Sequence, residues 1–174
     1  MSNKISISSG FRNNAAPKAS KTKATWLVME DDEKVVILRP ELSENSIPQA
    51  NISEATRQLV RRLRILFQQS LLKPRQDWDK ACLLIAADPN VTLERYACAF
   101  FHGIEVHGRK RFQFFMPQSQ EISENEMWIV SLITQLQAAD FANARYLTAL
   151  RIEQAGRRRL LFIAAGLARG LISN

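Results

Sequence analysis

The sequence predicts a mainly α fold: an α+β arrangement with about six helices, two short hairpins and one small antiparallel β-sheet. Three observations predict it. Apolar residues recur at helical spacing through most of 54–171. Residues able to cap helices stand just ahead of those stretches. Two short β-prone runs flank charged turns. With 174 residues, 46% apolar and 24% charged, the chain is long enough and apolar enough for one compact domain with a tail. No stretch approaches the ~20 continuous apolar residues of a membrane span. Six Gly, six Pro and two Cys exclude collagen-like and disulfide-scaffold classes.

Residues 1–24 carry Lys4, Arg12, Lys18, Lys21 and Lys23 with no acid, and so hold +5 of the formal +7 charge. Their Ser-, Asn- and Lys-rich composition reads as a disordered basic tail without the apolar core of a secretory signal. A helical subdomain with two hairpins is expected over 25–115. Its first hairpin pairs Trp26-Leu27-Val28 with Val35-Val36-Ile37-Leu38 across the acidic turn Glu30-Asp31-Asp32-Glu33. Ser53 reads as the N-cap of a helix over 54–73, with Glu54 complementing the dipole and Pro74 ending it. Ala55, Leu59, Val60, Leu63, Leu66, Phe67 and Leu71 form one face, and Arg57, Arg61 and Arg64 a narrow stripe beside it. A shorter helix follows over 77–87, ended by Asp88-Pro89-Asn90. Thr92 then caps a buried helix over 93–101, which Gly103 closes.

Beyond Gly103 the period changes to two. Ile104 and Val106, then Phe112 and Phe114, make a second hairpin with Arg109-Lys110-Arg111 at its tip. The rival reading extends the preceding helix to His107. Residues 116–122 form a loop or linker into a three-helix C-terminal subdomain, 123–174, packed on the preceding one. Ser123 and Glu126 make a capping box, with Ile122 and Met127 as its staple. Asp140 caps a helix over 141–152 that Gly156 ends, and Arg157-Arg158-Arg159 leads into the apolar helix of 160–171.

No catalytic constellation emerges, and no cofactor is expected. There is no nucleophile elbow, no phosphate-cradling glycine loop and no Cys-x-x-Cys pair. Cys98, His102 and His107 lie close in sequence but match no zinc signature. Cys98 among Tyr96, Phe100 and Phe101 reads as a buried, inert thiol. Two Cys outside any framework suggest a reducing, cytoplasmic setting.

The expectation is therefore a non-catalytic cytosolic regulatory or scaffold protein that acts through a protein partner or self-association. On 141–171 apolar side chains point both ways: Tyr146, Leu147 and Leu150 face away from Phe141, Ala144 and Thr148, as at an interface. The alternative is nucleic-acid binding. Three helices followed by a basic-tipped hairpin resemble the winged-helix plan. On that plan Arg57, Arg61, Arg64, Arg109, Lys110 and Arg111 meet phosphates, while Thr92 and Arg95 open the recognition helix. The two readings part on whether the 57–64 stripe and the 109–111 tip share one face.

Overall fold

The computed structural model describes residues 37–39, as backbone, and 52–172. The predicted partner strand at 26–28 and the tail at 1–24 lie outside the described residues. The described fold is mainly helical, at 72% helix. In chain order the elements are β1 (Ile37–Arg39), α1 (Glu54–Leu71), α2 (Trp78–Ala87), α3 (Leu93–His107), β2 (Gln113–Phe115), α4 (Glu124–Gln137), α5 (Phe141–Arg151) and α6 (Gln154–Ile172).

Local chemistry starts four helices where the sequence places their caps, at Ser53, Thr92, Ser123 and Asp140; Asp77 proves to be the cap of α2, and α6 begins at Gln154, ahead of the expected 160. Side-chain oxygens of Ser53, Asp77, Thr92, Ser123 and Asp140 accept the amides of Thr56, Lys80, Arg95, Glu126 and Asn143. These satisfy donors that a helix leaves unpaired. Ser123 and Glu126 form the complete capping box.

The second hairpin does not form. Residues 104–107 are instead the last turn of α3. Ile104 continues the buried face of Ala97, Phe100 and Phe101, so burial decides the conformation over β-propensity. Gly103 is no helix end. It is a point where side chains of α2 and α6 pack directly onto the α3 backbone, and a Cβ there would sit 2.6 Å from Trp78 Nε1 and 2.8 Å from Leu160 Cδ1. The sheet is also not antiparallel. β1 pairs with β2 in parallel, Ile37 opposite Gln113 and Arg39 opposite Phe115. A parallel pair needs a long crossover, here supplied by α1, α2 and α3.

α3 and α6 are the central antiparallel pair. Leu93 stands beside Gly170, Tyr96 beside Gly166, Gly103 beside Leu160 and His107 beside Gly156. Gly156 therefore lies inside the first turn of α6, not at the end of α5, because a Cβ there would meet the His107 ring. α1 and α2 pack on α3, and α4 and α5 on α6. One buried cluster takes side chains from all six helices, among them Val60, Trp78, Phe100, Ile129, Ala144 and Leu160. Among the described residues no helix is long and apolar enough to cross a membrane.

Candidate interaction surface

The sequence places Arg64 in an exposed phosphate-binding stripe, but in the fold it is 2% exposed. It borders the apolar face of α1, where α4 and the 116–121 loop cover it. Its Nε donates to Glu126 Oε1 at 2.7 Å and its Nη2 to Glu126 Oε2 at 2.9 Å. Nη1 donates to the carbonyls of Met116 and Ser119, and Nη2 also to that of Glu121. All five guanidinium donors are thereby used. Glu126, equally buried, also accepts the amides of Phe115 and Ser123. The group is a closed structural network and offers nothing to a ligand. Sequence reasoning missed it, although the capping-box Glu126 was one half of it.

The other predicted basic residues separate. Arg61 is exposed and Arg57 half-buried on α1. Arg62, next to Arg61, donates to the carbonyl of Leu171 at the far end of α6. The 109–111 loop lies at the opposite end. Gly108 bridges Ile152, the Arg109 amide donates to the Arg151 carbonyl at 2.9 Å, and the Glu153 amide donates to the His107 carbonyl at 2.8 Å. Arg62 thus sits by the C-terminal end of α6 and the loop by its N-terminal end, while Arg64 turns inward to the 116–121 loop. Thr92 and Arg95 lie exposed at the start of α3, with Arg95 paired to Asp88 at 2.6 Å, while Ala97, Ala99, Phe100, Phe101, Gly103 and Ile104 of that helix are buried. With 104–107 helical the expected hairpin wing is absent, and α3 packs against α1, α2 and α6 as a central helix of the fold.

Another juxtaposition takes their place. Arg109, Lys110 and Arg111 are exposed, and the bonds from Arg109 to Arg151 and from Glu153 to His107 seat them against the α5–α6 corner, which carries Arg151, Arg157 and Arg158. Basic runs 46 positions apart in sequence thus meet at one end of the protein. Arg157 is spent on the carbonyls of Ile152 and Ala149, and Arg151 on Asn125 and Glu124. Among the described residues, ion pairs engage Arg64, Arg75, Arg95, Arg151 and Arg159, and the side chains of Arg109, Lys110, Arg111 and Arg158 face solvent. The loop is held at both ends. Gly108 is buried where a Cβ would strike the Ile104 carbonyl, and Phe112 packs edge-on against Trp128 at 5.4 Å.

Beside this corner runs the outer face of α5. Ala144 and Thr148 are buried, whereas Tyr146 is 63% and Leu150 50% exposed, one helical turn apart. Leu150 immediately precedes Arg151, whose carbonyl holds Arg109. The surface therefore joins a fixed basic loop to an apolar stripe, a composition that suits a protein interface, where Arg and Tyr are enriched.

Burial pushes the Cys98 thiol up, with Lys73 pulling part of the way back. Burial likewise pushes up Cys82. The His107 ring lies 4.5 Å from that of Trp78. Among the described residues no group of three or more His, Cys, Asp or Glu side chains is placed to hold a metal ion, so Cys98, His102 and His107 do not form one. Comparison of the chain with protein-family models, with curated proteins and with solved structures finds no match.

Proposed function

We propose that this chain is a non-catalytic regulatory or scaffold protein that works through protein contacts, made by the outer face of α5 and the adjoining 109–111 loop. One observation carries the reading. Tyr146 and Leu150 stand exposed one turn apart on a helix whose opposite face is core, and they adjoin basic side chains that face solvent. Apolar area in solvent is costly unless a partner removes it, at roughly 25 cal/mol per Å² buried. The two free cysteines suit a reducing, cytoplasmic setting.

Site-specific photo-crosslinking tests the reading. A photoreactive phenylalanine analogue replaces Tyr146, or Leu83 on α2 as a comparison, in the full chain within its own cells. A discrete protein adduct at position 146 that Leu150→Glu abolishes, with none at 83, is expected. Equal labelling at both positions, or none at 146, refutes the surface. An adduct that nuclease digestion collapses transfers the surface to the nucleic-acid reading.

A further inference from the structure

β1 and β2 run parallel, with Ile37 opposite Gln113. The chain therefore enters both strands from the same end of the pair. Ahead of Gln113 come Arg109, Lys110 and Arg111; ahead of Ile37 comes Trp26-Leu27-Val28-Met29-Glu30-Asp31-Asp32-Glu33. Residues 26–33 lie outside the described residues; their sequence and their distance along the chain from Ile37 are the facts used of them. Glu33 is four positions from Ile37, and four residues of chain span at most about 14 Å. Arg111 is two positions from Gln113 on the neighbouring strand.

We propose that the acidic segment 26–33 of the same chain occupies the surface made by the 109–111 loop and the outer face of α5. The proposal rests on the reading of that surface as a protein contact. Two kinds of complementarity carry it. Four successive carboxylates match three successive cations whose side chains face solvent, and opposite charges across a contact set register and exclude wrong partners. The apolar triplet Trp26-Leu27-Val28 that leads the segment matches Tyr146 and Leu150, which lead away from the loop along α5. The short tether adds the third element. A ligand held by a few residues is present at an effective concentration in the millimolar range, so weak exposed ion pairs suffice for occupancy. An external partner must then displace the segment, which makes the surface a competitive, salt-sensitive site for acidic, apolar-bearing protein segments.

Carbodiimide coupling tests this on the full chain. The reagent joins a carboxylate and a lysine ammonium as an amide only where they already meet, and Lys110 is the single lysine of the loop. Trypsin places all four carboxylates of the segment in the peptide 24–34. Arg159→Lys, opposite Asp79, serves as the positive control for coupling across an exposed pair. A Lys110 crosslink to 24–34 is expected. Its yield should fall about fivefold or more in Arg109→Ala/Arg111→Ala, and likewise in 1 M salt, where the Debye length is about 3 Å. An equal mixture of light and isotope-labelled protein should give unmixed pairs.

Control coupling without the Lys110 crosslink overturns the proposal. So does a yield indifferent to the two arginines, which would reflect tethering alone. Mixed isotope pairs overturn it in favour of a second copy. The partner reading has its own readout: when Glu30, Asp31, Asp32 and Glu33 are changed to amides, the position-146 protein adduct should increase about threefold or more, as expected when a tethered competitor is removed. If the Lys110 crosslink forms but no such adduct appears in either chain, the segment docks and the external-partner reading fails. If the adduct appears without the crosslink, the reverse holds.

Discussion

Replacing Arg64 by Met tests whether the Arg64–Glu126 network holds the fold together. The substitution preserves most of the aliphatic volume and removes five donors. It leaves the Glu126 carboxylate, 2% exposed, with the amides of Phe115 and Ser123 as its remaining partners. Breaking one side of a buried, hydrogen-bonded ion pair costs about 3–5 kcal/mol, because an uncompensated charge stays behind. The carbonyls of Met116, Ser119 and Glu121 add less than full value, since they belong to a surface loop and can rehydrate. For a chain of this size the loss corresponds to roughly 6–20 °C in Tm. Glu126→Gln should also destabilise strongly. Both Glu126 oxygens accept N–H groups, so either orientation of an amide sets donor against donor. The double-mutant cycle should return a coupling of about 2 kcal/mol or more by urea unfolding. Arg159→Met is the control: its pair with Asp79 is half-exposed on both sides, so a change of about 0.5 kcal/mol or less is expected. A loss below about 1 kcal/mol for Arg64→Met would refute the reasoning, since burial would then confer nothing beyond a surface pair.

Packing, backbone conformation and thiol burial give three further expected outcomes. Gly166→Ala sets a Cβ into the Tyr96 ring at the α3–α6 contact and should cost about 1–3 kcal/mol, partly restored by Tyr96→Leu, as read by thermal unfolding. Gly170→Ala meets only the flexible end of Leu93 and should cost less. Ala139 has φ of 57° where α4 closes, and the Asp140 amide donates to the Gln135 carbonyl and the Ala139 amide to that of Leu136. Glycine suits that left-handed position, so Ala139→Gly should stabilise by about 0.5–1 kcal/mol in the same assay. Finally, burial raises the thiols of Cys82 and Cys98, so both stay protonated in the folded protein at a pH where an unfolded thiol ionises. Their contribution to stability is therefore complete below the unfolded pKa and lost as pH rises through the folded one. Native alkylation near neutral pH should be slow at both positions and become fast on unfolding. Fast labelling of the folded protein at neutral pH would contradict the burial.

Most of the helical framework is legible in the sequence. Ser53, Thr92, Ser123 and Asp140 each bond an amide three residues on, an interaction contained within one turn of chain. The candidate surface was legible only in part. Tyr146 and Leu150 are visible as outward residues of α5 from its period, and 109–111 from its charge, but Leu147, expected outward, packs against the core and Phe141, expected inward, is exposed. Their adjacency is not visible, because it depends on hydrogen bonds between His107 or Arg109 and residues more than 40 positions away. The winged-helix resemblance failed at the same kind of point: the element order looked right until Ile104 joined the core and turned the expected strand into helix.

The sequence by itself determined where the capped helices α1, α3, α4 and α5 begin and how charge is distributed, since capping and composition are local properties; it did not place the start of α6, which lies at Gln154 and not at 160. Only the tertiary structure decided the state of 104–107, the parallel partner of β2, the position of Gly156 within α6 and the side on which Arg64 lies. Each of these depends on what stands opposite: Leu160 and Trp78 against Gly103, His107 against Gly156, Glu126 against Arg64. A residue at the edge of an apolar face can be covered or left in water with equal local propensity. The choice belongs to the partner that packs there, and that partner is distant in sequence.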